Sequence, residues 1–246
     1  MDPAYYVAAG SLKARSYQLD AVSNNIANSQ TVGYKTERCF FAVFNKALHE
    51  GRGLPLSPFV NDGTIYPQKD ISFEQGPTKH TQGNLDFAIE GNAFFQIETP
   101  QGIVLTRDGR FALGTDGQLL TLDGLPVLGK NGSIYLRAEA GIPHVSEDGG
   151  IYQGNAFIDQ FDLKAYEDTS TLTRLGYGRF EAGGATETDV KGRTLQGYLE
   201  QSTVDLPSMM VEMIRLNRLF EMSQKIASTI TNDLDGRSIS SIAMGQ

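Results

Sequence analysis

The residues best suited to catalysis or metal binding are few and widely spaced. The chain has three histidines, His49, His80 and His144, and one cysteine, Cys39, among 246 residues. It lacks the His-x-His and His-Glu-x-x-His spacings that place two imidazoles on one metal ion. One cysteine can form neither an intrachain disulfide nor a cysteine-based zinc site. We therefore expect ordinary surface or core roles for these side chains, no metal site, no cofactor and no catalytic residue.

The local signatures of hydrolases and nucleotide-binding proteins are also missing. The sequence contains neither a Gly-x-Ser-x-Gly turn nor a Gly-x-x-x-x-Gly-Lys-Ser/Thr phosphate loop. Many of the carboxylates stand in Asp-Gly pairs, where an aspartate hydrogen-bonds the local backbone. Two carboxylates that converge from distant loops would leave no local signature, so a glycan-acting enzyme is kept as an alternative.

Charge and composition argue against some classes of binding partner. There are 29 acidic and 21 basic residues, giving a net charge of −8, whereas binding to nucleic acid needs clustered Lys and Arg. No run of 18 apolar residues is present, and the N-terminus lacks the regions of a cleaved signal peptide. We expect no nucleic-acid partner and no direct membrane insertion. If the protein acts outside the cytoplasm, we expect export without a cleaved leader.

The most regular pattern predicts a C-terminal helix over about residues 204 to 234. Apolar residues recur in sevens with companions three residues later, the period of a helix packed lengthwise on other helices. Asp205 and Pro207 suit its start, and Gly236 suits a C-terminal cap. These seam positions, which we expect to form an assembly interface, are Leu206, Met209, Met213, Leu216, Phe220, Ile230 and Leu234. The flanking positions include the apolar Met210, Leu219 and Ile226, so the face is wider than one partner can cover.

A second seam with the same period begins the chain. Asp2 and Pro3 suit a helix start, and the pattern ends near Asn28. Its seam positions, also expected in the assembly interface, are Tyr5, Leu12, Leu19, Val22 and Ile26. Periodicity alone leaves two alternatives open, since the two helices can pair within one chain or pack among several chains. The wide C-terminal face favours packing among several helices.

Between the helices the sequence changes to short strands and turns. Short apolar runs alternate with the pairs Asp108-Gly109, Asp116-Gly117, Asp123-Gly124 and Asn131-Gly132, which predict an antiparallel meander with tight turns. The predicted fold is mixed α and β, with an all-β central domain and terminal heptad-patterned helices that pair in an α-helical, coiled-coil-like domain. Its predicted segments are residues 1–35 (N-terminal helix), 36–75 (extended connector), 76–200 (all-β domain) and 201–246 (C-terminal helix and tail).

Several motifs along the whole chain resemble the flagellar rod and hook protein family. The first motif is Ser-Asn-Asn-Ile-Ala-Asn at residues 23–28, followed by Thr-Val-Gly-Tyr-Lys at 31–35. Similar stretches follow in the family's order at residues 85–91, 94–95, 106–111, 199–202 and 213–221. The residues that match the family motif include Asn24, Asn25, Ala27, Asn28, Gly33, Asp108 and Gly109. Ala93 departs from the pattern, because most members have glycine there.

The resemblance implies a structural subunit of the bacterial flagellar basal-body rod, the hollow shaft that transmits torque and surrounds the export channel. The terminal helices would form the inner tube of this periplasmic rod, and the β domain would pack outside. The implied partners are further copies, other rod subunits and the flagellar type III export apparatus. The segment Phe220-Glu221-Met222 and the short connector resemble the proximal rod protein more than the distal one. Another short rod or hook subunit and a soluble binding module are the remaining alternatives.

Overall fold

The computed structural model of the chain describes the backbone of residues 3–43 and 65–243, and the side chains of residues 9–40, 69–137 and 139–231. The described residues form two compact units. The helical unit contains both terminal helices and a two-stranded ribbon, and the β unit contains residues 28–36 and 71–204. The prediction of a mixed fold with terminal helices and a mostly β centre is confirmed.

Each end of the chain is one long helix. Helix α1 spans Pro3–Ala27, as the N-terminal pattern predicts, and helix α2 spans Leu206–Ala243. The predicted start of α2 is confirmed, since Met209 N donates to Asp205 O at 3.0 Å. The predicted cap at Gly236 is wrong, because the helix continues through this glycine. A glycine in a helix interior costs only about 1 kcal/mol, and no proline follows it to end the helix.

The two helices pack antiparallel. Ser11 Oγ lies 3.3 Å from Ser223 Oγ, and Asn25 Nδ2 lies 4.0 Å from Met209 Sδ, so moving forward along α1 means moving backward along α2. With 25 residues in α1 and 38 in α2, the lengths are roughly 38 and 57 Å at 1.5 Å per residue. Helix α1 can therefore cover only about two thirds of the length of α2. The ribbon of the helical unit is formed by β1 (Glu37–Val43) and β2 (Ile65–Ile71).

The largest sheet of the β unit has six antiparallel strands in the order β15-β16-β6-β5-β14-β17. Its strands are β5 (Ala93–Thr99), β6 (Gly102–Thr106), β14 (Lys164–Tyr166), β15 (Thr173–Gly176), β16 (Arg179–Glu181) and β17 (Glu187–Thr188). Residues 93–97 of β5 are buried on both faces. Phe95 and Ile97 enter one core cluster and Phe94 the other, as the alternation of side chains along a strand requires.

Smaller antiparallel sheets surround it. They are β3 (Thr78–His80) with β19 (Tyr198–Glu200), β4 (Phe87–Gly91) with β18 (Gly192–Gln196), β7 (Phe111–Leu113) with β8 (Leu119–Thr121), β9 (Leu128–Gly129) with β10 (Gly132–Ser133), and β11 (Pro143–Val145) with β12 (Gly150–Gln153) and β13 (Ala156–Gln160). The pairs β3–β19 and β4–β18 join distant parts of the chain, for example Thr78 with Glu200. The stretch for which a meander was predicted contains the antiparallel pairs β7–β8 and β9–β10, and the long-range pairs add to them.

The main core is aromatic. The rings of Phe87, Phe95, Phe111 and Phe161 lie with centroids 5.2 to 6.1 Å apart, mostly edge to face or tilted. Such pairs add about 0.5–1.5 kcal/mol each beyond the burial of their area.

Three of the four predicted tight turns have the expected glycine conformation. Gly117, Gly124 and Gly132 have positive φ angles of 83°, 83° and 107°. Gly109 has no positive φ and does not close a hairpin, since β6 and β7 do not pair. A Cβ on Gly109 would lie 1.8 Å from Phe87 O. This glycine is therefore needed for a close approach of two backbones.

Candidate functional site

The predicted seam of α2 lies toward α1 within the helical unit. Leu216 and Val22 are buried, and Met209 and Ser223 contact α1. The other described seam side chains are half-buried, namely Leu12, Leu19, Ile26, Leu206, Met213, Phe220 and Ile230. Tyr5 and Leu234 lie within the helices, but their side chains are outside the described residues. The structure thus places Met209 and Ser223 of α2 against α1 inside one chain, whereas the sequence pattern alone did not decide which helix covers the seam.

A different set of apolar side chains on α2 is exposed to solvent. We name it the outer stripe, and it consists of Met210 (53% exposed), Val211 (67%), Ile214 (55%), Met222 (53%) and Ile226 (58%). Its members fall into two groups with helical spacing, one on each half of the helix. At 3.6 residues per turn, Met210, Val211, Ile214 and Met222 lie on the side of α2 away from Leu216, whereas Ile226 lies at the flank of the seam. In contrast, the described exposed residues of α1 are small or polar. Grouped exposed apolar residues on a stable helix mark an interaction surface.

Asn25, from the first family motif, joins three elements of the helical unit. Its Nδ2 donates to Glu37 O at 2.7 Å, and Glu37 N donates to Asn25 Oδ1 at 3.0 Å. The side-chain amide therefore pairs with the first residue of β1 as a backbone peptide would. It is 2% exposed and also contacts Met209 on α2. Asn25 fixes the last turn of α1 against both neighbours.

The other asparagines of that motif lie nearer the surface. Asn24 and Ala27 are exposed, and Asn28 is half-buried. Asn28 closes the turn after α1, because its backbone O and its Oδ1 accept from Thr31 N and Thr31 Oγ1 at 3.1 and 3.2 Å.

The later motifs converge on a buried ionic network in the β unit, which we name the anchor cluster and define by Lys35, Arg107 and Glu200. Lys35 Nζ donates to Glu200 Oε1 and to Glu74 O, both at 2.6 Å. Arg107 Nη1 lies 3.3 Å from Glu200 Oε2, and Nη2 donates to Gly91 O at 2.7 Å. The three side chains are 0%, 2% and 1% exposed. One carboxylate thus holds two buried cations.

Burial changes the pKa values of the two cations in the anchor cluster. It lowers the pKa of the Lys35 ammonium, and the carboxylate of Glu200 opposes that shift. Burial also lowers the pKa of Arg107, again against the attraction of Glu200. Both cations depend on Glu200, because a buried charge without a partner is strongly unfavourable.

The anchor cluster joins the chain segment that follows α1 to the segment that precedes α2. Gly33 N donates to Glu200 O at 2.8 Å, and Thr203 N donates to Tyr34 O at 3.1 Å. Thr36 N donates to Thr203 Oγ1 at 2.9 Å. These bonds hold residues 33–36 beside residues 200–203.

The remaining motif residues fit closely around the cluster. Gly33 has a φ of +67°, and a Cβ there would lie 2.6 Å from Arg107 C. Asp108 accepts from Arg110 Nε and Nη2 at 2.9 and 2.7 Å. The sequence motifs contain Lys35, Arg107 and Glu200, but the sequence did not indicate that they form one network.

The residues first considered for chemistry are not assembled into a site among the described residues. His80 stacks on Tyr198 at the edge strand β3, and His144 is exposed on β11. His49 lies outside the described residues. Burial raises the pKa of the Cys39 thiol, which disfavours the reactive thiolate. Within the described part of the chain, no group of three His, Cys, Asp or Glu residues is placed to hold a metal ion. Neither described helix has a segment apolar enough to cross a membrane.

An exposed apolar stripe on a terminal helix pair and a buried ionic network that joins distant segments are features of a structural protein with a surface suited to assembly. Three family models match the chain in order: "Flagella basal body rod protein" over residues 6–35, "Flagellar hook protein FlgE/F/G D1 domain" over 88–153, and "Flagellar basal body rod FlgEFG protein C-terminal" over 195–236.

Whole-length relatives agree with these family models. The flagellar basal-body rod protein FlgF of Rhizobium meliloti is 35% identical over 227 residues, covering 90% of each chain. FlgF of Mesorhizobium japonicum is 31% identical over 226 residues, again 90% of each chain. The flagellar basal-body rod protein FlgG of Borreliella burgdorferi is 31% identical over 255 residues, covering 94% of this chain and 96% of the relative. The chain therefore belongs to the flagellar basal-body rod protein family. It is a structural protein of the basal-body rod, as the sequence motifs indicated.

Proposed function

We propose that this chain is a subunit that polymerises through its terminal helices into the proximal part of the rod. The observation that carries the proposal is the outer stripe, which α1 leaves uncovered. In the polymer, the stripe packs against helices of neighbouring subunits while the seam closes each helix pair in a coiled-coil-like manner. The helices surround the export channel, so the predicted seam residues and the outer stripe both contribute to the tube.

The free energy available from burying the outer stripe favours a polymer over an isolated dimer. Full burial of a large apolar side chain is worth roughly 1.5–3 kcal/mol, and about half of each stripe residue is still available for burial. Five such residues give on the order of 5 kcal/mol for one contact. Association costs at least about 4 kcal/mol in lost freedom. One contact is therefore marginal, and stable assembly needs several neighbours for each subunit.

The proposed partners follow from the same assembly. They are further copies of this chain, other rod subunits and the flagellar export apparatus. No catalytic role, cofactor, nucleic-acid partner or membrane insertion forms part of the proposal. The assignment to the proximal rod is supported by the segment Phe220-Glu221-Met222 and the short connector, while relatives named FlgF and FlgG match at similar identity.

The test is the substitution Ile226→Asp in the outer stripe. The free protein should keep its helix content, measured by circular dichroism, because Ile226 is 58% exposed. The variant should be missing from basal bodies purified from a strain that lacks the native subunit. The matched control is Arg218→Ala, an exposed position on the same helix, and it should be incorporated. Normal incorporation of Ile226→Asp would show that the stripe is not an assembly surface.

The seam is tested separately with Phe220→Asp. This half-buried side chain packs within the helical unit, so a buried carboxylate should both weaken the helix pair and prevent incorporation. Labelling the incorporated wild-type subunit in basal-body images checks the proximal position. A label confined to the distal rod would contradict that assignment alone.

A further inference from the structure

An aromatic side chain projects from the tip of the β15–β16 hairpin. Tyr177 is 92% exposed and has a φ of +51°, between Gly176 at +96° and Gly178 at +69°. A left-handed conformation is unfavourable for a non-glycine residue, because its Cβ approaches the following carbonyl oxygen. The positive φ of Tyr177 is therefore a strained conformation, and strain of this kind is concentrated at functional positions.

Neighbouring residues extend this projection and hold it in place. Leu122 is 65% exposed and Leu175 is 52% exposed. The Arg179 guanidinium lies 5.8 Å from the centroid of the Tyr177 ring and pairs with the carboxylate of Asp123, next to Leu122. We name Leu122, Leu175 and Tyr177 the knob. Because it is already ordered in the free subunit, little freedom is lost when it binds.

The same β unit carries an open hollow of about 570 Å³, lined by Thr115, Asp116, Gly117, Leu136, Arg137, Glu139 and Ala140. Its floor is rigid, because Leu136 N donates to Gly117 O at 2.7 Å and a Cβ on Gly117 would lie 2.4 Å from Leu136 O. One wall is braced by the Gln153 side chain, which bonds both Arg137 N and Arg137 O at 2.8 and 2.9 Å.

The chemistry of the hollow suits a tyrosine. Leu136, Gly117 and Ala140 offer apolar contact to a ring, and Asp116 and Glu139 offer carboxylates that accept from a phenolic O–H. With one guanidinium, from Arg137, against two carboxylates, the lining has an excess of acceptors.

The knob and the hollow lie at opposite ends of one strand. Gly117 precedes β8 (Leu119–Thr121), and Leu122 follows it. At about 3.3 Å per residue, the two ends are roughly 16 Å apart. The knob and the hollow are different surfaces of one β unit, so insertion of the knob of one copy into the hollow of another is a heterologous contact. Such a contact repeats as an open helical array when it does not close into a ring.

We propose that the knob of one copy of this chain inserts into the hollow of the next copy. This inference rests on the proposed function, since it supplies a contact between β units in the same polymer. The outer stripe and the knob then make separate contacts, one between helices and one between β units.

The experiment is cysteine cross-linking in assembled basal bodies. The parent is Cys39→Ser, which removes the native thiol, and the test variant adds Tyr177→Cys and Ala140→Cys. Oxidation should give a ladder of dimers, trimers and longer species. Tyr177→Cys alone and Ala140→Cys alone should give no ladder, because each face meets the other and not itself. The matched control pair is Tyr177→Cys with Val190→Cys, an exposed position outside the hollow, and it should give no ladder.

Each outcome separates the inference from the proposed function. A double variant that is incorporated without a ladder, or a dimer from Tyr177→Cys alone, overturns the knob-and-hollow contact and leaves the rod assignment standing. Failure of the Cys39→Ser parent to enter basal bodies counts against the proposed function instead. If the double variant does not fold, a photoreactive phenylalanine derivative at position 177 replaces it. Its cross-links must map to residues 115–140 of another copy, and cross-links elsewhere overturn the inference.

Discussion

Replacing Glu200 by glutamine should destabilise the β unit strongly, because one carboxylate serves two buried cations. The substitution keeps the volume of the side chain and leaves an acceptor for Gly76 N, which donates to Glu200 Oε1 at 2.8 Å. It removes the negative charge opposite Lys35 and Arg107, which are 0% and 2% exposed. Breaking a buried ion pair by removing one partner costs about 3–5 kcal/mol.

The matched control is an ion pair on the surface of the same unit. Arg193 Nε lies 2.6 Å from Glu90 Oε2, but the two side chains are 50% and 48% exposed. Such a pair contributes at most about 1 kcal/mol, so Glu90→Gln should change the free energy of unfolding by less than that. The Arg193–Glu90 distance equals the 2.6 Å between Lys35 and Glu200, but the surface pair is about half exposed and Glu90 holds one cation rather than two.

Urea denaturation of the full chain provides the measurement. The chain has 10 tyrosines and no tryptophan, so tyrosine fluorescence can report unfolding of the β unit, together with circular dichroism. For a unit of this size, 1 kcal/mol shifts the melting temperature by about 3 °C, so Glu200→Gln should lower it by roughly 10 °C. Equal losses for Glu200→Gln and Glu90→Gln would refute the reasoning.

The loss should also depend on pH. Burial already lowers the pKa of Lys35 in the folded protein, and Glu200→Gln removes the charge that opposes this shift. In the unfolded chain the lysine keeps its proton up to a pKa of about 10.4. Between the two pKa values the unfolded state binds more protons, so the free energy of unfolding rises with pH. The deficit of Glu200→Gln relative to wild type should shrink from pH 7 to pH 10, and adding Lys35→Met should abolish that change.

Two further substitutions test the packing of motif residues. Asn25→Ala removes the two bonds to the Glu37 backbone and should destabilise the helical unit by about 2–3 kcal/mol, seen as earlier loss of helical dichroism in urea, with exposed Ser23→Ala as a nearly neutral control. Gly109→Ala places a Cβ 1.8 Å from Phe87 O and should cost 3 kcal/mol or more, on the order of overpacking a core. Gly124→Ala, which meets nothing within 4 Å at a φ of +83°, should cost only about 1 kcal/mol in the same melting assay.

The helices were largely predictable from the sequence because their pattern is local. A seven-residue repeat and the Asp205 start signal identified α2. Its end was not predictable from Gly236, since the stability of a helix depends on the residues that follow and on what packs against it. Periodicity also identified an apolar face without identifying its partner. In the structure Leu216 is buried and Ile226 is exposed.

The β unit was less predictable because its decisive contacts are not local. Short apolar runs and Asp-Gly turns indicated strands, and the hairpin β7–β8 forms around such a turn. The pairing of β4 with β18 depends on segments far apart in the chain, which no local pattern specifies. For the same reason Lys35, Arg107 and Glu200 were visible as motif residues but not as one network. Gly109 resembled a turn residue, although its role is to admit the Phe87 backbone.

The anchor cluster also changes the order in which the chain can fold. Ala27 and Leu206, the facing ends of α1 and α2, are about 180 residues apart in sequence, and closing a loop of that length costs roughly 4–5 kcal/mol of chain entropy. Once the hydrogen bonds around Glu200 hold residues 33–36 beside residues 200–203, α1 and α2 are each joined to this paired segment by only a few residues. The pairing of the helices then becomes a local event with a high effective concentration. Closure of the β unit before the helices pair therefore lowers the entropy cost of their pairing.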